Sequence, residues 1–329
     1  MLGAMQATSI ARPPALRRTR NAGDRIGDGV LYGLTALAAL IGVLVVFAIV
    51  WRVAEGAWPA IRLYGLSFLW HSEWNAPLDK FGARDLVIGT VVTSFGAMLL
   101  SAPLSIAIGL FLSELAPPWV RTPVGSLVDM LAAVPSVVIG LWGIYVLAPF
   151  DAQHVQPFLG AILGWIPIFA GGGDKTPSTV FTAIIVLTIM TIPITSSICR
   201  ELFLGVPTEL EEGSIGLGAT RWEMVRTVVV PSVRGGVVAA VILGLGRALG
   251  EAIAVTQVIG NFIPLKHTIF APGDTIASRL ANQYQGAISE NQVAALIYLA
   301  LILLVITFLS NLAAQRIVKR FELQRTGGS

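Results

Sequence analysis

Charged side chains are scarce in this sequence. Asp, Glu, Lys and Arg together make up 12% of the 329 residues, whereas hydrophobic residues make up 55%. Soluble domains carry about 25% charged residues, so the composition excludes an ordinary soluble protein. It predicts a protein that spans a lipid bilayer, for which chain length gives no count of soluble domains.

Cysteine and histidine are also scarce. A single cysteine, Cys199, excludes a disulfide within the chain. His71, His154 and His267 lack the spacing of a metal site, so we expect no metal and no cofactor in this chain. The run 171–176 superficially resembles a phosphate loop but has no glycine directly before its lysine, and we interpret it as a turn. Without a nucleophile and base or a basic aromatic face, we expect neither an enzyme nor a nucleic-acid-binding protein.

Apolar runs of about 20 residues, the length that crosses a bilayer, set the organisation of the chain. Five runs are clear, and a sixth, 235–264, is as apolar but contains Arg247 and Glu251. A further run, 155–173, contains prolines and glycines, and we interpret it as a short external or re-entrant segment. The predicted fold class is all-α, a polytopic membrane protein with six transmembrane helices. The clear runs are 29–51, 86–112, 130–150, 176–199 and 293–314.

The placement of Lys and Arg predicts the orientation of the helices. With both termini in the cytoplasm, the inner segments carry about twice as many basic residues as the outer ones, in agreement with the positive-inside rule. No apolar signal-peptide core precedes the first run, so we expect no cleaved leader. The predicted divisions are a cytoplasmic tail (1–28), a first helix with an external loop (29–84), a transmembrane domain (85–320) with a cytoplasmic loop (205–234), and a C-terminal tail (321–329).

Arg247 and Glu251 form the most unusual feature of the apolar runs. They lie four residues apart, so a continuous helix places both on one face near the middle of the membrane. A charge there costs about 2.5–3.5 kcal/mol on insertion scales and faces a partner or a watery path. We interpret Arg247 as meeting a crossing anion while Glu251 holds its guanidinium; the alternative is a structural ion pair. The same side of the helical wheel carries Gly244, Gly250, Ala254 and Asn261, and Asn261 completes the predicted path.

The segment 211–231 between two apolar runs has a pattern of its own. Glu212 is followed by Gly218 and, further along, by Pro231. The pattern predicts a short helix, a glycine break and a second amphipathic helix that proline closes. Such a cytoplasmic elbow is suited to docking a separate ATPase; the alternative is an ordinary amphipathic loop.

The elbow resembles the EAA loop of ABC importer permeases, in which a glutamate and two alanines precede a glycine and, later, aliphatic residues and a proline. Gly218, Val228, Val230 and Pro231 fit this spacing. Gly213 and Ser214 replace the two alanines, which keeps the residues small but weakens the start of the helix. By this resemblance, the residues that couple to the ATPase are Glu212, Gly218, Ala219, Thr220, Arg221 and Pro231.

Further blocks, between about residue 29 and residue 320, are similar to the PstC-type permeases of phosphate ABC importers. The most specific block is 243–251, which contains the charged pair and continues at 258–261. The sequence departs from the family pattern at Ala252, Ile253 and Gln257, which flank the pair and could alter the polarity of the path. Other blocks lie at 74–77, 81–83, 89–90, 102–105, 112–117, 134–143, 164–167 and 217–223.

The resemblance implies an inner-membrane subunit with the ABC importer permease fold, which imports inorganic phosphate by alternating access. It implies a second, homologous permease subunit as a heterodimer partner, a dimer of a cytosolic ATPase, and an external phosphate-binding protein. This sequence has no Walker A motif, so ATP and Mg²⁺ are expected in the ATPase.

Two alternatives remain open at this stage. One is an ABC permease for another oxyanion, such as molybdate or sulfate. The other is a secondary transporter or channel that carries its own energy coupling.

Overall fold

The computed structural model describes residues 22–172 and 176–326, so the predicted tails 1–28 and 321–329 lie partly outside the described residues. The described chain is almost entirely helical. Its one sheet is an antiparallel hairpin of β1 (Trp74–Asn75) and β2 (Lys80–Phe81). The α-helices are α1 (Ala22–Tyr64), α2 (Arg84–Leu110), α3 (Pro118–Ala132), α4 (Ser136–Trp142), α5 (Ala148–Phe150), α6 (Gln156–Leu163), α7 (Val180–Leu204), α8 (Thr208–Gly216), α9 (Arg221–Met224), α10 (Val230–Gly250), α11 (Ile253–Val258), α12 (Ile276–Gln283) and α13 (Glu290–Thr326).

Short turns of 3-10 or π-helix join several of these helices. The 3-10 turns are Gly65–Leu69, Ala76–Leu78 and Pro167–Phe169. A π turn bonds each residue one position further along than an α-helix does, so it inserts a residue without ending the helix. The π turns are Phe111–Leu115, Gly143–Leu147, Asp151–Val155 and Val225–Val229.

Six helical segments are long and apolar enough to cross a membrane. This number and the all-α class confirm the sequence prediction. The segments are Ile26–Leu69, Arg84–Leu115, Ser136–Leu163, Val180–Leu204, Arg221–Gly250 and Glu290–Arg316.

The third span differs from its predicted boundaries. It begins at Ser136, directly after Pro135, and runs on through Leu163, so the first half of the run 155–173 continues this helix and does not form a separate segment. Pro157 does not break the helix because it follows the π turn Asp151–Val155, which shifts the backbone bonding at that point.

The fifth span also differs from its prediction. The run 235–264 is not one helix, because α10 ends at Gly250 and Glu251 is extended, with φ −72° and ψ 114°. The short helix α11 follows after this break.

The described residues divide into two units, of which those up to Arg52 form the first and those from Val53 onward form the second. In the first unit, α1 carries apolar side chains such as Leu31, Val43 and Phe47 that are exposed in this chain, as expected of a helix in lipid. The packing contacts and candidate sites described below belong to the second unit.

Helix α7 lies at the centre of the second unit, and two-thirds of its apolar span is buried. It packs on α2, α3 and α10. Gly109 of α2 lies so close that a Cβ there would be 2.8 Å from Cβ of Cys199, and a Cβ at Gly96 would be 2.9 Å from Cδ1 of Ile184. Small residues at such positions let membrane helices approach closely.

A compact cap covers the end of the bundle at which α2 and α7 begin. Residues 53–83 and 259–289, here named the cap, pack with the start of α13 around an apolar core that contains Phe68, Phe81 and Leu296. The buried carboxylate of Asp274 lies 2.6 Å from Nη2 of Arg279, whose guanidinium stands 5.6 Å from the Trp74 ring centroid. Burial raises the pKa of Asp274 and lowers that of Arg279, and the ion pair opposes both shifts. Arg279 therefore links the two segments of the cap through its contacts with Asp274 and Trp74.

The close approach of α2 and α7 gives a first prediction. Gly109→Ala should destabilise the protein by about 1–3 kcal/mol, because the added methyl group overpacks the contact with Cys199 and the Arg200 backbone. Gly42→Ala is the matched control, since a Cβ at that helical glycine meets no atom within 4 Å. Thermal unfolding in detergent measures both variants; equal midpoints for the two would contradict the packing argument.

Candidate functional site

The elbow is a helix, a glycine turn and a second helix. Helix α8 ends at Gly216, and Gly218 has φ +90°, a conformation that side chains with a Cβ rarely adopt. Thr220 then caps α9, because its Oγ1 accepts the N–H of Glu223 at 3.3 Å while Glu223 Oε2 accepts the N–H of Thr220 at 2.8 Å. The predicted short helix and glycine break are both present.

The predicted closure at Pro231 is wrong. Helix α9 passes through the π turn Val225–Val229 into α10, so the segment Arg221–Gly250 is one apolar span. Proline has no N–H, and here it follows a turn in which the regular α-helical bonding is already shifted. The second helix of the elbow is therefore the start of a membrane-spanning helix.

The elbow is fixed to the bundle on one side and exposed on the other. Met224, Val225 and Val229 are buried in a core with Cys199 and Phe203 of α7. Four large apolar side chains of the elbow are exposed instead, and together we call them the elbow surface. They are Leu210, Ile215, Leu217 (92% exposed) and Trp222 (68% exposed).

The elbow also carries acidic groups. Burial and the neighbouring carboxylates of Glu114 and Glu212 raise the pKa of Glu211. Glu212 itself is exposed, as are Thr220 and Arg221. A side that combines exposed apolar groups with carboxylates is suited to contact another protein.

The structure brings some of the predicted coupling residues together and separates others. Gly218, Ala219, Thr220 and Arg221 form one continuous turn, and Ala219 is half-buried. Pro231 lies in the spanning helix, beyond the π turn and away from this turn. Coupling to an ATPase remains a prediction for all six residues.

Arg247 lies about halfway through the bundle. Gly244, one turn before it, faces Thr195 and Met98, since a Cβ at Gly244 would be 2.7 Å from Thr195 Oγ1 and 3.4 Å from Met98 Sδ. Both of these residues lie near the middle of their helices, α7 and α2. The side chain of Arg247 is exposed, and no ion pair to it is found among the described residues.

The predicted pairing of Arg247 with Glu251 on one helix face is wrong. The helix ends between them, and Glu251 Oε1 instead accepts the N–H of Ala254 in the first turn of α11, a long contact of 3.4 Å. A carboxylate at the start of a helix satisfies N–H groups that have no partner inside it. Arg247 and Glu251 therefore cannot form an ion pair along one continuous helix.

Asn261 does not share a face with Arg247 either. It lies after α11 with φ +53°, and its amide donates to Thr256 O and accepts from Ser278 Oγ, both at 2.8 Å. These bonds hold the turn after α11 to α12. The role of Asn261 on the substrate path stays a prediction. Both the nitrogen and the oxygen of its amide already have hydrogen-bond partners within the chain.

Sequence reasoning missed the buried hydroxyl groups of Ser94 and Thr195, and it noted Gln257 only as a departure from the family pattern. Ser94 Oγ, Thr195 Oγ1 and Gln257 Oε1 are buried and have no hydrogen-bond partner among the described residues. Thr195 lies beside Gly244, one turn from Arg247. Hydroxyl and amide side chains within apolar runs could have indicated such buried groups, because lipid offers them no hydrogen-bond partner. Within the described ranges, no group of three or more His, Cys, Asp or Glu residues could hold a metal ion.

The sequence matches known membrane-transport proteins over most of its length. Residues 105–323 match the model of the family described as "Binding-protein-dependent transport system inner membrane component". The chain belongs to this family. It is 39% identical to the phosphate transport system permease protein PstC of Pasteurella multocida, over 93% of this chain and 97% of that protein. The PstC of Haemophilus influenzae is 41% identical, over 89% of this chain and 93% of its own length.

A solved structure supports the permease fold. The chain is similar to the MetNI methionine ABC transporter in an inward-facing conformation, with a TM-score of 0.55 and 19% identity over 75% of this chain and 99% of that one. The predicted ABC importer permease fold is thereby confirmed. With its six apolar helices, this permease is a multi-pass inner-membrane protein.

The glycine turn of the permease elbow gives a second prediction. Gly218→Ala should loosen the elbow, because a residue with a Cβ at positive φ costs about 1–2 kcal/mol. Amide hydrogen exchange in the segment 208–224 should accelerate about 5- to 30-fold, the factor that corresponds to one or two kcal/mol.

Gly213→Ala is the control for this variant, since Gly213 lies inside α8 and a Cβ there meets no atom within 4 Å. Unchanged exchange in Gly218→Ala would show that the turn does not depend on glycine.

Proposed function

We propose that this chain is one permease subunit of an ATP-driven importer of inorganic phosphate. The observation that carries the proposal is its similarity to phosphate permeases over nearly the whole length of both chains. ATP-dependent uptake of labelled phosphate into vesicles that contain the assembled complex tests it.

The position of Arg247 supports transport of an anion. Its guanidinium is exposed at mid-depth on the same side of α10 as Leu243 and Gly250, which are also exposed. In lipid this charge would cost about 2.5–3.5 kcal/mol, so we infer that a second permease subunit covers this face and encloses an aqueous path. A planar, permanently charged guanidinium suits the geometry of a phosphate oxyanion.

The elbow supports an ATPase partner on the cytoplasmic side. Its apolar surface of Leu217 and Trp222 is exposed, while Met224 and Val225 are anchored in the bundle. Helix Arg221–Gly250 joins this surface to Arg247 as one rod of about 45 Å, at 1.5 Å per residue. We infer that a dimer of ATPase subunits, which bind ATP and Mg²⁺, moves this rod.

The cap supports an external partner. Placing the elbow in the cytoplasm puts the cap and the start of α7 on the outer side, where a phosphate-binding protein would deliver its ligand. With this orientation, we infer that both termini lie in the cytoplasm.

The two alternatives are separated by simple measurements. An importer of molybdate or sulfate would lose labelled-phosphate uptake to an excess of those anions, whereas a phosphate importer would not. A secondary transporter or channel would take up phosphate without ATP and would be purified without an ATPase.

Arg247→Gln gives the third prediction. Phosphate uptake should fall about 10- to 100-fold, the factor that corresponds to a lost charge-assisted hydrogen bond of about 1.5–3 kcal/mol. The complex should still assemble, because the exposed side chain makes no ion pair within the described residues.

Arg247→Lys is the matched control for this variant. It keeps the charge but loses the planar fork, so its uptake should lie between those of the wild type and Arg247→Gln. Wild-type uptake by a well-assembled Arg247→Gln complex would remove Arg247 from the path.

Orientation gives the fourth prediction. Leu217 and Ile288 are 92% and 97% exposed, and Cys199 is fully buried, so single cysteines introduced at the two sites label without background. A membrane-impermeant thiol reagent added to intact cells should label Ile288→Cys and leave Leu217→Cys unlabelled. Labelling of Leu217→Cys but not of Ile288→Cys would show that the permease has the opposite orientation in the membrane.

A further inference from the structure

A pocket on the cap side lies apart from Arg247 and the elbow. It is about 220 Å³ in volume, enough for several water molecules or one tetrahedral oxyanion. Arg84 and Asp85, in the first turn of α2, form one side, and the loop residues Lys266, His267 and Thr268 form the other. The proposed transport mechanism assigns no role to these residues.

Hydrogen bonds hold the loop in place on both sides of the basic residues. Before them, Asp85 Oδ2 accepts the N–H of Leu265 at 2.9 Å. After them, Thr268 Oγ1 donates to Ala170 O, and the N–H of Ile269 donates to Ile168 O at 3.0 Å. Lys266 and His267 are therefore held beside Arg84 by backbone and side-chain bonds that do not involve their charges.

The charges that border the pocket are predominantly positive. Arg84 and Lys266 are exposed, and neither takes part in an ion pair among the described residues. The one carboxylate, Asp85, is only 9% exposed and is bonded to the loop backbone. Positive groups around a concave site with apolar walls concentrate the electric field and attract anions.

We propose that this pocket binds a phosphate-type oxyanion on the outer face of the permease. Arg84 offers a planar fork and Lys266 a point charge, two donors that together suit a phosphate group. The group belongs either to free phosphate or to a lipid headgroup, and the assignment to free phosphate rests on the proposed function. For free phosphate, the pocket is a first binding site between the external partner and Arg247.

The test compares how fast oppositely charged thiol reagents label a cysteine at the pocket. His267→Cys is made in the full chain, assembled in its complex in nanodiscs of zwitterionic lipid without the external binding protein. Its rates of labelling by an anionic and by a cationic thiol reagent are compared with those of Ile288→Cys, which is fully exposed on the same side. Each cation at about 8 Å in water changes the rate for a charged reagent about two- to threefold. The ratio of anionic to cationic rates should therefore be several-fold higher at position 267, and Lys266→Gln should reduce it.

Binding is measured as protection of His267→Cys from thiol labelling by added inorganic phosphate. Phosphate should slow labelling of His267→Cys in a saturable way, leave Ile288→Cys unaffected, and lose its effect when Arg84→Gln is added. If anionic lipid in the nanodisc gives this protection and free phosphate does not compete with it, the occupant is a lipid headgroup.

Two results would overturn the proposal: equal rate ratios at positions 267 and 288, or protection by the external binding protein without protection by either phosphate source. The second result would make the pocket a protein-docking surface. Labelling requires neither ATP nor transport, so failure of the pocket is distinguishable from failure of phosphate uptake, which is measured separately.

Discussion

Close contact between α7 and its neighbours is the constraint on which the bundle depends. In lipid there is no hydrophobic drive to bring helices together, so close packing must hold them. Glycines supply the needed approach at Gly96 and Gly109 of α2 and at Gly244 of α10, each of which faces a side chain of α7. These contacts fix the depth of α10 in the bundle and, with it, the position of Arg247.

The break after Gly250 divides this part of the permease into a long rod and a separate short helix. The rod joins the exposed elbow to Arg247, whereas α11 packs on α4 and α7. A force applied at the elbow therefore acts on Arg247 through continuous helix, while α11 is held by other contacts. Glu251 lies at the junction and bonds to α11, so a movement of the rod would change the separation of Arg247 and Glu251.

The cap and the elbow lie at opposite ends of α7 and differ in their surfaces. The cap is closed by its own core and by the buried pair of Asp274 and Arg279, and its loops are tied to α2. The elbow exposes Leu217 and Trp222 and has no cover within the described chain. This difference agrees with the proposed roles, in which the cap end receives the anion and the elbow binds the ATPase.

The number of spans, the glycine turn of the elbow and the family could be predicted from the sequence. These features follow from local properties: the length of apolar runs, the need for glycine at positive φ, and the spacing around Gly218. Three features became visible only in the tertiary structure. They are the separation of Arg247 from Glu251, the passage of the helix through Pro231 and the extension of the third span past Pro157. A helical wheel assumes an unbroken helix, and a proline is assumed to end one. After the break at Gly250, α11 packs against α4 and α7, and the π turns before Pro157 and Pro231 carry the helix past each proline. No local pattern in the sequence records these contacts or turns.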